Sequence, residues 1–163
     1  MAGKVSAGLL LYRRRGGEIE VLLVHPGGPF FQKKDAGVWT IPKGEAEPGE
    51  DLLERAKIEF REELGAEPPA GPYAELGAIK QKGGKTVYAW ACEGDFEGPA
   101  RSNTFQLEWP PRSGQIREFP EIDRAEWFGL PEARIKINAA QAAFLDALLA
   151  LIQGAEESAE RHR

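Results

Sequence analysis

The chain has 163 residues, which is enough for one domain with a proper hydrophobic core. Its formal net charge of −5 argues against nucleic acid as a partner, although a small polyphosphate could bind in a locally basic pocket. The single cysteine, Cys92, excludes an internal disulfide and is compatible with a reducing compartment. No signal peptide is recognisable, and the most apolar stretch, 139–152, is too short to span a bilayer. We therefore expect a cytoplasmic protein without membrane contact.

The first quarter of the chain is predicted to be mostly strand. Strand-like runs over 5–12 and 19–24 are joined by a bend at Gly16-Gly17. A loop follows over 26–37, and then a short strand over 39–41. The remaining expected elements are a loop over 43–49, a helix over 50–64, a hairpin of strands 73–80 and 86–92, strands 105–109 and 125–128, and a helix over 139–152. This mixture of elements predicts an α/β domain over residues 1–153, followed by a flexible charged tail over 154–163.

The helix over 50–64 carries a cluster of carboxylates. Glu59, Glu62 and Glu63 stand at i, i+3 and i+4, so they share one face of the helix. Like charges so placed cost a few tenths of a kcal/mol per pair in a bare helix. A hard cation such as Mg²⁺ or Mn²⁺ would make such a group of oxygen ligands tolerable. The alternative for any three glutamates is a solvated helix face.

The stretch 44–66 resembles the Nudix box, Gly-x5-Glu-x7-Arg-Glu-U-x-Glu-Glu-x-Gly-U, in which U is a bulky aliphatic or apolar residue. The positions that match are Gly44, Glu50, Glu59, Phe60, Glu62, Glu63 and Gly65. Ala66 is a weak fit at the last apolar position, and Ile58 stands where the family has Arg. The resemblance implies the family's α/β/α sandwich with a mixed central sheet.

The resemblance also implies an activity, the metal-dependent hydrolysis of a pyrophosphate linkage between a nucleoside diphosphate and another group. It assigns Glu59, Glu62 and Glu63 as ligands of Mg²⁺ or Mn²⁺, together with the backbone carbonyl of Gly44. Glu63 or Glu62 would be the base that activates water, and Glu50 would support the site through hydrogen bonds or a metal-bound water. Divalent ions suit this chemistry because they neutralise the phosphates and lower the pKa of bound water.

Ile58 cannot pair with the box glutamates as the family's Arg is thought to do. Three outcomes are open, namely loss of activity, reduced activity with metal affinity largely kept, and compensation by another cation. Arg55 is a candidate for that compensation, since it lies four residues before Glu59 and seven before Glu62. The alternative is that Arg55 is an ordinary solvated side chain.

The entry to the box, residues 39–50, resembles that of Nudix diadenosine polyphosphate hydrolases. Its Pro-Lys-Gly also occurs in diphosphoinositol polyphosphate and nucleoside triphosphate hydrolases. A Tyr that several dinucleoside polyphosphate members carry 16–18 residues after the box is missing here, as is the Pro of ADP-ribose enzymes. Predicted substrate contacts, for phosphates and for stacking on a base, are Lys43, Phe31, Lys33, Lys82 and Tyr88.

Two classes of function remain in competition. The first is a pyrophosphohydrolase of nucleotide polyphosphates, with dinucleoside polyphosphates favoured and with modified nucleoside triphosphates or nucleotide sugars as the alternative. The second is a Nudix module that senses a nucleotide without cleaving it, which Ile58 makes plausible. The box keeps a carboxylate at Glu50, Glu59, Glu62 and Glu63, and this favours the enzyme. We expect a monomer or homodimer whose partner is a small-molecule nucleotide.

Overall fold

The computed structural model describes residues 3–162. Its strands are β1 (Val5–Arg15), β2 (Glu18–Pro26), β3 (Lys43–Glu45), β4 (Ala74–Gln81), β5 (Lys85–Glu93), β6 (Thr104–Glu108), β7 (Ile116–Pro120) and β8 (Ile122–Gly129). Its helices are α1 (Leu52–Leu64), α2 (Leu130–Lys136) and α3 (Ala142–Arg161), with a 3₁₀ turn at Ala139–Gln141. None of the helices within residues 3–162 is long and apolar enough to cross a membrane.

The central sheet has the order β4-β5-β1-β2-β8, with β3 as a further partner of β1. β1 runs parallel to β5 and antiparallel to β2 and β3, which confirms the expected mixed sheet. β2 pairs with residues 12–15 of β1, whereas β3 pairs with residues 6–8 of the same strand. The sheet therefore forks along β1, and β3 forms the branch that carries the start of the box.

Side chains alternate along β1 and β2 between two buried cores, as strand geometry requires. On one face Leu10, Val21 and Leu23 pack with α3 through Phe144 and Leu148. On the other face the core contains Leu9, Leu11, Leu22, Phe60 and Leu64, of which the last two belong to α1. Helices thus cover both faces of the sheet, and the expected α/β/α sandwich is confirmed.

Helix α1 has a distinct signal at each end. The Asp51 side chain accepts a hydrogen bond from the Glu54 backbone N–H at 3.0 Å, so the helix begins at Leu52, after the residue that caps it. It ends where Gly65 takes a positive φ of 70° and donates its N–H to the Arg61 carbonyl at 2.8 Å. These two ends fix which turns of the helix carry the box carboxylates.

The structure differs from the sequence-based expectation at several elements. The predicted loop over 43–49 contains β3, while the predicted strand over 39–41 makes only isolated bridges, from Thr40 to Val24 and from Trp39 to Ile137. The segment predicted to separate two strands, 110–120, contains β7, which pairs with β6 in a separate two-stranded sheet.

Helix α2 was not predicted. Helix α3 continues to Arg161, with Glu156 accepting an ion pair from Arg14 at 3.0 Å, whereas the sequence ends that helix at 152. The division into a domain at 1–153 and a flexible tail stays a prediction.

The N-cap of α1 allows a test of this fold. We expect Asp51→Ala to lower the free energy of unfolding by about 1 kcal/mol, because it removes the acceptor for the Glu54 N–H. For a chain of this size that corresponds to a drop in Tm of about 2–4 °C. Asp51→Ser, which keeps an acceptor oxygen, should recover most of the loss in thermal denaturation, and an unchanged Tm in Asp51→Ala would contradict the assigned cap.

Candidate active site

The box helix meets strand β3 at its first glycine. A Cβ atom on Gly44 would lie 2.0 Å from the carboxyl carbon of Glu59, so any other residue at this position would displace that carboxylate. One residue earlier, the Lys43 backbone N–H donates a hydrogen bond to Oε2 of Glu63 at 2.9 Å. These contacts place two of the predicted metal ligands directly against the Lys43–Glu45 strand.

Glu63 is the most unusual carboxylate of the box because it is 8% exposed. Burial raises the pKa of Glu63 well above its ordinary value. Lys43 opposes that shift, and the charges of Glu59 and Glu121 add to it. Glu63 therefore holds a proton more tightly than a solvated glutamate, unless further positive charge reaches it.

Two more carboxylates belong to the same group. Burial raises the pKa of Glu59, with Arg55 lowering it and Glu62 raising it. Burial and the charge of Glu62 likewise raise the pKa of Glu121, which follows β7. Backbone hydrogen bonds join these segments, since Glu121 donates to the Asn103 carbonyl and Asn103 donates to the Glu62 carbonyl, both at 2.9 Å.

Sequence reasoning missed Glu121 entirely. It lies far along the chain from the box, and no spacing rule relates it to Glu62. The pairing of β6 with β7, the hydrogen bonds through Asn103 and the hydrogen bond from the Gly27 N–H to the Glu121 carbonyl bring it there.

The carboxylates suit a hard divalent cation in their chemistry. Glu59, Glu62, Glu63 and Glu121 offer only oxygen donors, and they repel one another in a partly buried setting. Within residues 3–162, no three Asp, Glu, His or Cys side chains lie close enough together, in their present positions, to hold a metal ion. Arg55 engages Glu59 and the Lys43 N–H engages Glu63, so these side chains are held by protein partners. The donor set fits Mg²⁺ or Mn²⁺, which keep several waters and need few protein oxygens.

Arg55 lies between two box glutamates. Its Nη2 is 2.7 Å from Oε2 of Glu50, its Nε is 3.0 Å from both oxygens of Glu50, and its Nη1 is 3.2 Å from Oε1 of Glu59. All three side chains are largely covered, with exposures of 21%, 21% and 12% for Arg55, Glu50 and Glu59. The hydrogen bond to Arg55 lowers the pKa of Glu50, and the reverse contact raises the pKa of Arg55. Arg55 is thus an ion-pair partner of the box rather than a solvated arginine.

A cleft of about 730 Å³ opens beside Glu63. It is lined by Pro26, Phe31, Gly37, Val38, Thr40, Lys43, Glu63, Gln81, Lys82, Lys85, Glu121, Ile122, Asn138, Ala139 and Ala140. Carboxylates and three lysines therefore share the walls with one aromatic ring and two side-chain amides. Lys43 is the most enclosed of the lysines, and burial lowers its pKa while Glu63 raises it.

The structure brings together some of the predicted substrate residues and separates others. Lys43, Phe31 and Lys82 line the cleft with Glu63. Lys33 is exposed and is not among the lining residues. Tyr88 lines a different groove of about 520 Å³, next to Glu50 on the other side of β3. Lys85 also lines the cleft, together with Gln81 and Lys82, at the basic tip of the β4–β5 hairpin.

Comparison with known proteins gives matches over nearly the whole chain. A model of the NUDIX domain matches residues 3–148. The Mus musculus bis(5'-nucleosyl)-tetraphosphatase (asymmetrical) is 33% identical over 139 residues, which cover 78% of this chain and 80% of the mouse protein. The crystal structure of a C. elegans Ap4A hydrolase binary complex superposes with a TM-score of 0.66 at 25% identity, over 93% of this chain and 98% of that one.

A further solved structure shows the fold alone. The NUDIX domain of Shewanella oneidensis NrtR, complexed with ADP ribose, superposes with a TM-score of 0.57 at 16% identity, over 97% of this chain and 89% of that one. The family model spans well over half of the chain, and it includes the box and every carboxylate of the candidate site. On these findings the chain belongs to the Nudix family.

Proposed function

We propose that the protein hydrolyses a pyrophosphate linkage in nucleotide polyphosphates, with dinucleoside polyphosphates as the favoured substrates. The observation that carries this proposal is the cleft itself, where Glu63 and Glu121 face Lys43, Lys82 and Lys85. Lysines attract phosphate oxygens, while carboxylates repel them unless a cation lies between. The mouse relative is a bis(5'-nucleosyl)-tetraphosphatase, and this supports dinucleoside polyphosphates as the substrate class.

The box residues have separate roles in this proposal. Glu59, Glu62, Glu63 and the Gly44 carbonyl would hold Mg²⁺ or Mn²⁺, and Glu121 extends the set. When bound, such an ion neutralises phosphate charge and lowers the pKa of a coordinated water. Glu63 or Glu62 would be the base that takes a proton from the attacking water.

The rest of the cleft would bind the substrate. Lys43, Lys82 and Lys85 lie where a polyphosphate chain can reach them, and Phe31 offers a ring on which a nucleobase can stack. The earlier assignments of Lys33 and Tyr88 to substrate binding lack this support, because neither lines the cleft. A cytoplasmic location and a monomer or homodimer remain predictions.

The competing function is a module that binds a nucleotide without cleaving it. Ile58 favours that function, and the ion pairs of Arg55 argue against it. The ion pairs of Arg55 with Glu50 and Glu59 supply a guanidinium within the box. We therefore propose that Arg55 replaces the arginine that the family carries at position 58, and that the chain is an enzyme.

Glu63→Gln should lower turnover by at least ~100-fold, as expected when a metal ligand or base is lost. The glutamine oxygen can still accept the Lys43 N–H, so the local fold is kept. Glu54→Gln is the matched control, since Glu54 lies on the exposed side of the same helix and pairs with Lys57. Turnover of Glu63→Gln within a few fold of the control would contradict the assignment.

The same variant should be more stable than the parent when metal is absent. Because the pKa of Glu63 is raised in the folded state, its charged form weakens folding at pH values above the ordinary glutamate pKa of about 4.3. Glu63→Gln removes that penalty, so its Tm in chelator should exceed the parent's at pH 8, and the difference should shrink toward pH 4. An equal Tm at pH 8 would mean that burial does not disfavour the carboxylate.

Arg55→Ala should lower turnover by about 10-fold or more, because Glu50 and Glu59 lose their shared partner. Adding Ile58→Arg in the same chain should recover part of that loss. Arg61→Ala is the matched arginine control, since Arg61 pairs only with the exposed Glu67. Full turnover in Arg55→Ala, with no gain from Ile58→Arg, would show that position 55 does not compensate.

A product-resolved hydrolysis panel tests the substrate class. It contains diadenosine polyphosphates, nucleoside triphosphates, ADP-ribose, a nucleotide sugar and a diphosphoinositol polyphosphate, each with Mg²⁺, with Mn²⁺ and with chelator. We expect metal-dependent cleavage, fastest with a diadenosine polyphosphate. Nucleotide binding without any cleavage would make the sensing module the correct description.

A further inference from the structure

His25 lies near the end of β2 and is completely buried. Its Nδ1 is 2.7 Å from Oδ1 of Asp123, and its Nε2 is 2.7 Å from the backbone carbonyl oxygen of Lys34. Its ring also meets the Trp39 indole edge-on, at 5.1 Å between centroids. Both ring nitrogens are therefore engaged, with no room for water.

The partners of His25 fix how its ring is held. The Lys34 carbonyl can only accept, so Nε2 of His25 holds it as an N–H donor. On the other side of the ring Nδ1 pairs with the Asp123 carboxylate, which is 31% exposed and has Nε of Arg124 at 3.8 Å. Both polar atoms of the buried ring therefore have a partner.

Charged groups of both signs surround the His25–Trp39 pair. The Arg124 guanidinium lies over the Trp39 ring at 5.1 Å, and the Trp39 indole N–H donates to Asp35 at 2.8 Å. Lys136 pairs with the same Asp35. Asp123 is thus the acidic group that bonds His25 directly, while Asp35 is held by Trp39 and Lys136.

The contact with Lys34 leads to the cleft. The Lys34 backbone N–H donates to the Phe31 carbonyl at 3.0 Å, and its ammonium lies 5.6 Å from the centre of the Phe31 ring. Phe31 in turn lines the cleft that contains Glu63. Two successive hydrogen bonds therefore connect the buried His25 ring to the backbone of Phe31, the aromatic residue that lines the cleft.

We propose that His25 is a positioning residue, whose Nε2–H holds the Lys34 turn so that Phe31 stays at the cleft. This role rests on the proposed function, in which Phe31 stacks on a nucleobase. The two ends of the loop over 27–37 are held by backbone hydrogen bonds, from Gly27 to the Glu121 carbonyl at 2.8 Å and from Gly37 to the Ile135 carbonyl at 3.0 Å, and the His25 contact holds the turn between them. Loss of the anchor weakens substrate binding and leaves the box carboxylates in place.

Steady-state kinetics with diadenosine tetraphosphate and Mg²⁺ test the proposal. His25→Gln should raise KM by about 10-fold, the scale of one lost stacking contact, with kcat within about 2-fold of the parent. Phe31→Ala should do the same, and the double variant should be no worse than Phe31→Ala alone, because both act on one contact. Additive effects, or an unchanged KM in His25→Gln, would overturn the proposal.

His162 provides the matched control, since the chain has two histidines and the second is exposed. His162→Gln should leave both kinetic constants unchanged. If His25→Gln fails to fold, Asp123→Ala carries the kinetic test, because it leaves His25 in place and removes the partner that holds the ring in its orientation. In that case an unchanged KM overturns the proposal.

Nitrogen-15 NMR gives a measurement that does not require hydrolysis. The Nε2 of His25 should show a one-bond N–H correlation, and the Phe31 and Lys34 amide signals should shift in His25→Gln. An Nε2 that carries no proton, or unshifted amides, would overturn the proposal. If the parent cleaves no substrate while both signatures are present, the proposed function fails and the positioning contact stands.

Discussion

The structure depends on one electrostatic constraint, the crowding of carboxylates where α1 meets β3. Glu63 is nearly excluded from water, and Glu59 and Glu121 add their negative charge to it. Charge of one sign in a partly buried site is unfavourable unless opposite charge is supplied. Lys43 on one side and Arg55 on the other supply part of it from the protein. The negative charge that they leave unbalanced favours a divalent cation at the site, and a bound cation would in turn attract an anionic substrate.

Helix geometry brings some of these charges together, and contacts between segments that are distant in the sequence bring the others. The helical spacing of Glu59 and Glu63 is local, and the cap at Asp51 sets where the spacing starts. Gly44 comes against the helix only because β3 pairs with β1. Glu121 arrives through the hydrogen-bonded segment that includes Asn103. The site therefore joins one helix, one branch of the sheet and one strand junction, and the helix alone would not make it.

The same division explains what could be predicted from the sequence. Helix α1 and its carboxylates follow from local spacing, and the glycine at position 65 marks its end. β3 could not be predicted, since Lys43-Gly44-Glu45 has neither alternation nor branched residues and becomes a strand only by pairing with β1. Glu121 and the lining of the cleft depend likewise on contacts between distant segments. The role of His25 could not be predicted either, because its contacts with Asp123 and the Lys34 carbonyl are not visible in the sequence.

The fork in the sheet has a consequence for how the chain tolerates changes of length. β1 is held to β5 by a ladder of pairs from Val5–Thr86 to Tyr12–Glu93, and the same strand sets the register of β3 through residues 6–8. A residue inserted in the turn at Gly16-Gly17 can be absorbed at the tip of the hairpin, since nothing lies within 4 Å of where a side chain there would start. A residue inserted within 6–11 would turn the alternate side chains of β1 to the wrong core and slide Lys43 past Glu63. Loop-length variation among functional relatives should therefore concentrate at that hairpin tip and avoid the first strand.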